Sequence, residues 1–455
     1  MKAFTVKQLL DAVHGKLLAG SEQTTVASVS TDSRYIYLGA LFIAIVGATN
    51  DGHLYIDSAL EKGAAGCLFE RAPETLHQNK FYIQVPNTVV AYKKLAAWYR
   101  AQFSLPVVQV TGSVGKTTTK EMLAAVLSQH FYTLKTEKNY NNEIGTPMTL
   151  LRLEPEHEAA VIETGMDGAG QIRYLGEAVK PTAAVITNIG DMHMEALGSR
   201  ENIFRAKCEI FENLAPDGFA VLNGDDALLN TVSLPQRIVR FGVSEHCGAR
   251  VTDVEDRGID GISCAVLTRK ARYELDIPAP GAHMIYPAAA AVAVGEELGL
   301  SVDEIVRGIA AYEPEGSRMH VMQLCGNRRL LDDCYNAGPQ SMRAALEVLA
   351  NSEGKTFAVL GDMAELGELT QSAHREIGAL TRELGIDGVF AIGEKARGIA
   401  DAASGASWFA AADEALDAIK SVFTPGSAML VKASHSMHFE HIVQELTKVY
   451  PQEKT

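Results

Sequence analysis

Basic residues are the minority charge in this chain: Lys and Arg total 41 against 56 Asp and Glu, a formal charge of −15 at pH 7. DNA and RNA are gripped by clustered cations, so this balance is a poor starting point for such a partner and none is expected. Cysteines are also few. The six present (Cys67, Cys208, Cys247, Cys264, Cys325, Cys334) are scattered, with no Cys-x-x-Cys pair, and signal neither a zinc site nor a disulfide framework. No apolar run approaches the roughly 18 residues of a membrane span. Lys7, Asp11 and Lys16 interrupt any secretory apolar core in the first twenty residues. Internal repeats and low-complexity tracts are absent as well. What is there is 47% hydrophobic and 21% charged over 455 residues. That suffices to bury sizeable cores, in about three domains at roughly 150 residues each. A soluble, cytoplasmic, multidomain protein is expected.

Three blocks emerge along the chain. Residues 1–85 mix short strand-like runs such as Ala40–Val46 with turn signals such as Asn50-Asp51-Gly52. Residues 86–105 read as a connecting helix, with Val90, Leu95, Ala97, Trp98 and Phe103 near helical spacing. Residues 106–315 alternate strand-like runs (Val107–Val110, Ala159–Ile162, Ala183–Ile186, Ala220–Leu222, Ile238–Phe241) with helical segments such as Ser199–Leu214. Such alternation predicts a parallel, doubly wound sheet. Residues 316–455 repeat the pattern with runs at Thr356–Leu360, Gly388–Ile392 and Ala428–Val431, a second α/β unit of Rossmann-like size.

The most informative stretch follows Val107–Val110. A buried-strand pattern runs into Gly112-Ser113-Val114-Gly115-Lys116-Thr117, and a helix begins near Thr117. Glycines let the main chain curl so that N–H groups face phosphate oxygens. The helix N-terminus adds positive dipole, Lys116 neutralises charge and the Thr117 hydroxyl suits Mg²⁺. Val110 stands where the full P-loop pattern has its first glycine. A plain glycine turn with a solvated lysine is the alternative; the strand before and the helix after favour nucleotide binding.

A triphosphate needs a hard cation on oxygen ligands. Glu163 ends the run Ala159–Ile162, and His193 lies just past Ala183–Ile186, so both would sit at the same sheet edge as the phosphate loop. Taken singly, Glu163 reads as a capping or solvated glutamate and His193 as a packed or solvent histidine. Lys207, on the next helix, reads most simply as a solvated surface lysine. Their joint spacing behind a phosphate loop is what points to a site.

These residues carry a resemblance. Thr111–Thr117, Asn141-Asn-Glu-Ile-Gly-Thr-Pro147, Glu163-Thr-Gly165, Asn188–His193, Asp332–Met342 and Leu360-Gly-Asp-Met-Ala-Glu-Leu-Gly367 occur in order over nearly the whole chain. Together they resemble the Mur ligases, ATP-dependent amide-forming enzymes of peptidoglycan synthesis. The resemblance implies an N-terminal domain for a uridine nucleotide, a central ATPase and a mobile C-terminal domain that closes over ATP. It implies ATP contacts from Gly112, Ser113, Val114, Gly115, Lys116, Thr117, Thr118 and Asn142, joined on closure by Arg318, Asp333 and Asn336. It implies Mg²⁺ on Thr117 and Glu163, and a second Mg²⁺ on His193 and Lys207, the latter carbamylated in several relatives. Ser30, Asp32, Ser33 and Arg34, with Asp51-Gly-His53, resemble the family's uridine-nucleotide segment.

Within the family, the Asp332–Met342 and Leu360–Gly367 stretches, and the lack of a D-N-P-R-like motif, favour the type that adds D-alanyl-D-alanine to a UDP-linked muramoyl tripeptide. A monomer is expected, though no motif speaks to it. A folate polyglutamylating relative and a non-catalytic, nucleotide-gated binding protein are the alternatives. There are departures. His283-Met-Ile-Tyr-Pro287 replaces a frequent H-N-x-x-N whose second Asn faces adenine, Ala433-Ser-His-Ser-Met437 replaces G-S-R-S-M, and Gly338 stands where Asn is frequent.

Overall fold

The computed structural model describes residues 1–47 and 50–453. It is an α/β protein of three domains, each built on its own sheet. The N-terminal sheet has five strands in the order Lys16–Ala19, Phe81–Gln84, Gly66–Phe69, Ala40–Ile43 and Ser28–Ser30. All neighbours are parallel except the first pair. Two of the three inner strands, Ala40–Ile43 and Gly66–Phe69, are buried at every residue, which is why they read as continuous apolar runs rather than alternating ones.

The connecting helix is Thr88–Arg100, capped by Asn87, whose side chain accepts from the Val90 N–H. It is more than a spacer. Leu95, Ala96 and Tyr99 share one apolar core with Leu41 and Phe81 of the first sheet, with Val107 and Ala160 of the second, and with Leu150 of the helix Gly145–Leu150. The Tyr99 hydroxyl donates to the Leu153 carbonyl (2.7 Å) and accepts from the Lys2 N–H (2.6 Å). One side chain thus ties the first two domains together.

The central sheet has nine strands. From one edge they are Arg272–Ile277, Ile262–Leu267, Ala249–Asp256, Arg237–Gly242, Phe219–Asn223, Ala183–Ile186, Val107–Thr111, Ala159–Glu163 and Thr133–Lys135. The seven from Ala249–Asp256 onward are mutually parallel, and the hairpin-like stretch near Asp253–Asp276 adds the two antiparallel edge strands. Val107–Thr111 lies between strands that follow it in sequence on either side. That is the strand-order reversal where such sheets open a crevice beyond their C-terminal ends. Helices Lys116–Leu127 and Ile285–Glu297 cover one face through Met122, Leu123, Ala288 and Val292. The other face is covered by Arg200–Cys208, through Ile203 and Ala206.

The C-terminal sheet has six strands in the order His320–Leu324, Arg328–Asp332, Ala428–Lys432, Thr356–Gly361, Gly388–Ile392 and Ala406–Phe409, parallel but for the first pair. Asp333, Lys432 and the loop after Gly361 therefore share one sheet edge, and that edge faces the crevice of the central domain. Among the described residues no helix is long and apolar enough to cross a membrane.

Candidate active site

Val107–Thr111 is buried throughout and delivers the chain into the glycine loop. A Cβ on Gly112 would stand 1.9 Å from Thr187 Oγ1, so no larger residue fits between the loop and the neighbouring strand end. Gly115 takes φ +80° immediately before the helix Lys116–Leu127, a left-handed turn that glycine adopts without strain. The loop is held from outside. Asn188 accepts from the Ser113 N–H through its carbonyl (3.1 Å) and from the Val114 N–H through its side chain (3.0 Å). Thr187 Oγ1 donates to the Val114 carbonyl (2.6 Å), and Ser113 Oγ accepts from the Gly190 N–H (2.8 Å). The Ser113 and Val114 amides are therefore spent on fixing the loop. The amides available to an anion are those of the first helical turn from Lys116, which have no intrahelical acceptors.

Lys116 Nζ folds over its own loop, donating to the Gly112 (2.9 Å) and Ser113 (3.2 Å) carbonyls. Burial lowers its pKa, nearby Arg318 pushes the same way, and Glu163 opposes both. Thr117 and Glu163 meet directly: the hydroxyl donates to Oε2 at 2.8 Å. Glu163 is the last residue of its strand and only 1% exposed, so the solvated reading of it fails. Its other oxygen accepts from Asn141 Nδ2 (2.9 Å). Asn142 lines the cleft, but its side-chain oxygen caps Ile144 and Gly145 (3.1 and 2.9 Å) at the start of the next helix. Asn141 lines the cleft too and touches Glu163 directly, a contact that sequence reasoning did not single out though the motif contained both asparagines.

The expected solvated lysine is not solvated. Lys207 is 1% exposed, on the same helical face as buried Ile203, Ala206 and Ile210. Burial drives its pKa well below the ordinary lysine range, and Lys116 nearby pushes it further down. Spacing 203, 206, 207, 210 is an i, i+3, i+4, i+7 stripe with a lysine on it, a signal the sequence already carried. His193 follows the strand Ala183–Ile186, as expected, with φ +67°. It lines the cleft, and its Nδ1 lies 3.1 Å from Glu365 Oε2 in the C-terminal domain.

From that domain come Arg318, Asp333 and Asn336, all lining the same cleft of about 1000 Å³. The Arg318 guanidinium lies over the Tyr335 ring at 3.6 Å. Asp333 pairs with buried Lys432 (2.5 Å), which also donates to the Asn336 carbonyl (2.9 Å). The Asn336 side chain accepts from the Ala337 N–H (2.8 Å). Pro287 lines the cleft, as does Gly338, where a Cβ would meet nothing nearer than Met192 Cγ at 3.9 Å. His435 packs beside Tyr335, 5.4 Å between ring centroids, at the position where arginine is common.

The N-terminal candidates lie elsewhere, at the end of the edge strand Ser28–Ser30 and outside this cleft. Asp32 and Arg34 pair with each other (2.7 Å), which holds the Asp32 carboxyl below its usual range. Ser30 Oγ accepts from the Asp32 N–H (3.1 Å), and Lys62 Nζ donates to the Ser33 carbonyl (2.9 Å). Behind them His53 Nδ1 faces Asp51 (2.7 Å), and its Nε2 accepts from the Glu70 N–H (3.0 Å). The proton therefore sits on Nδ1.

Three family models match in succession: the Mur ligase family catalytic domain over residues 25–103, the Mur ligase middle domain over 110–295 and the Mur ligase glutamate ligase domain over 317–435. The chain is 37% identical over 461 aligned residues to a UDP-N-acetylmuramoyl-tripeptide–D-alanyl-D-alanine ligase from Synechocystis, covering 99% of this chain and 98% of that one. Among solved structures, MurF from Acinetobacter baumannii matches with a TM-score of 0.93 at 32% identity, over 98% and 99% of the two chains. The MurF ligase from Thermotoga maritima in complex with ADP matches at 0.84 and 28% identity, over 92% and 97%. With the fold, the order of the motifs and full-length relatives in agreement, this chain belongs to the Mur ligase family.

Proposed function

We propose that the protein is the ATP-dependent ligase that joins D-alanyl-D-alanine to UDP-N-acetylmuramoyl-tripeptide in peptidoglycan precursor synthesis, releasing ADP and phosphate. The observation that carries this reading is the meeting, in one cleft, of a phosphate loop from the central domain with Arg318 and Asp333 from the C-terminal domain. The full-length relative that bears this activity in its name supports it. The cytoplasm is the proposed place of action, and the domain division 1–85, 86–105, 106–315 and 316–455 belongs to the same reading. The three sheets and the connecting helix fall within those limits.

A carboxylate is a poor acyl donor because oxide would have to leave. In the proposed reaction a tripeptide carboxylate oxygen attacks the γ-phosphorus of ATP. An O–P bond forms, the bridging P–O bond breaks, and ADP departs, leaving an acyl phosphate. The amine of D-alanyl-D-alanine, with its proton lost, then attacks the acyl carbon, and the tetrahedral intermediate expels phosphate to leave the amide. The protein's part is alignment and charge. First-turn amides and Lys116 would meet the phosphate oxygens, with Arg318 supplied by the C-terminal domain.

Residues present in the site fit Mg²⁺. Thr117 Oγ1 and Glu163 Oε2 are hard oxygen donors already in contact. Among the described residues no cluster of three or more His, Cys, Asp or Glu assembles, so the remaining ligands would be phosphate oxygens and water, as is usual for this ion. A second cation would be held by His193 and Lys207. Lys207 fits as its carbamate: burial lowers the pKa of its amine, which favours the form that adds CO₂, and that addition with loss of a proton gives an oxygen-bearing anion. When bound, Mg²⁺ screens the repulsion between the triphosphate and the substrate carboxylate.

The test is phosphate release from ATP by the purified protein. It should require both the UDP-linked tripeptide and D-alanyl-D-alanine. Release with a folate and glutamate instead would move the protein to the polyglutamylating relatives. Tight ATP binding with no release under any pairing would leave a nucleotide-gated binder.

A further inference from the structure

The stretch Leu360–Gly367 stands out in the sequence, and the roles assigned above leave it without one. Its place in the fold gives it one. The loop leaves the strand Thr356–Gly361 at the sheet edge that faces the cleft. Glu365 sits there at φ +60°, a left-handed conformation uncommon for a residue with a side chain. It is held in that shape from both sides. Met363 N–H donates to His374 Nε2 (3.0 Å), Ala364 N–H donates to Ser434 Oγ (2.9 Å), and Asp362 Oδ1 accepts from the Ala396 N–H (2.7 Å). His374 is fully buried, and its Nδ1 donates to the Thr370 carbonyl (2.6 Å).

The loop presents Glu365 Oε2 to His193 Nδ1 across the domain boundary, at 3.1 Å. The His193 side chain is 13% exposed and lines the cleft. Gln340 and Gly338 of the same domain reach Gly190 and Met192 beside it, so the two surfaces meet over several residues. A carboxylate on one ring nitrogen of a histidine fixes the tautomer and the ring direction, and leaves the other nitrogen's lone pair for a cation.

We propose that Glu365 is a positioning residue for His193, brought in by the C-terminal domain, so that the second cation site is complete only when that domain closes. The inference rests on the two-cation reading above. It makes domain closure and cation binding one event: the open protein holds a cation at Thr117 and Glu163, and the closed one gains another at His193. ATP would then meet its full complement of positive charge only in the conformation that excludes water.

The experiment is a Mn²⁺ titration followed by the electron paramagnetic resonance signal of free Mn²⁺, with the full chain saturated by a non-hydrolysable ATP analogue. The wild type should bind two ions. Glu365→Ala should keep the first at wild-type affinity and weaken the second by roughly 10- to 100-fold. Glu365→Gln, which keeps an acceptor oxygen but not its charge, should fall between. In turnover the same variants should lower kcat while leaving the KM for ATP near wild type. Two Mn²⁺ bound by Glu365→Ala with wild-type affinities would overturn the inference alone. A wild type that binds a single ion would overturn the two-cation reading and the inference with it.

Discussion

Lys120 and Lys207 both lie on helices that flank the central sheet, and both are withdrawn from water, at 0% and 1% exposure. Their surroundings are opposite. Lys120 Nζ donates to the Thr136 carbonyl (2.8 Å) and pairs with Glu315 (2.5 Å) and with Glu121. Lys432 in the C-terminal domain is treated similarly, by Asp333. Lys207 meets no carboxylate among the described residues, and the charged group acting on it is another cation, Lys116. An isolated buried ammonium is costly enough that the group gives up its proton instead. The paired lysines therefore belong to the architecture. The unpaired one lies near Lys116 of the glycine loop, and it is the one to which the proposed function gives chemistry.

The largest effect tests the architectural half of this contrast. Lys120→Met removes a buried cation and leaves Glu121 with Lys135 alone and Glu315 with only the Lys138 N–H, so unfolding by urea should show a loss of about 3 kcal/mol. A variant as stable as wild type would mean that the cluster is solvated in solution. On the reactive side, Lys116→Ala should lose roughly 10²- to 10³-fold in kcat with its melting curve unchanged; wild-type turnover would remove the phosphate-loop assignment. Lys207→Met should lose about 10- to 100-fold in activity, yet melt at or above the wild-type temperature, because no buried charge has been orphaned. In Lys207→Ala, added short-chain carboxylates should restore part of the rate. Activity untouched by either change would make Lys207 a packing residue.

A smaller effect separates the two lysines by pH. Because the folded-state pKa of Lys207 is lowered, the unfolded chain binds more protons between that value and the ordinary lysine range. The wild type should therefore gain stability relative to Lys207→Met as pH rises through that window, in CO₂-free buffer. A difference that stays flat with pH would contradict the lowered value. The smallest change expected is at an exposed pair. Arg34→Ala should leave melting unchanged and raise the KM for the UDP-linked substrate several-fold, and an unchanged KM would detach that turn from substrate binding.

Legibility in the sequence followed how local the physics is. Val107–Thr111 running into Gly112 and Gly115 could be read because strand burial, a left-handed turn and a helix start are all set within ten residues. Glu163 and His193 could be placed because the end of a parallel strand fixes which sheet edge follows it. The connecting helix was visible by its period, but its role in a core shared with both neighbouring domains was not. Asn141 on Glu163, Lys432 on Asp333 and Glu365 on His193 join residues 22, 99 and 172 positions apart. Only the packed sheets bring them together.

The amino-acid order alone made the α/β class, the glycine loop and the family resemblance legible, because these rest on short patterns of glycine, apolar and charged residues that act on their own neighbourhood. Tertiary structure decided which charges are compensated. A lysine looks the same in any sequence, and its state depends on whether a carboxylate from a distant strand, helix or domain arrives within a few ångströms of its amine. Among the described residues, Lys120 and Lys432 are reached and Lys207 is not.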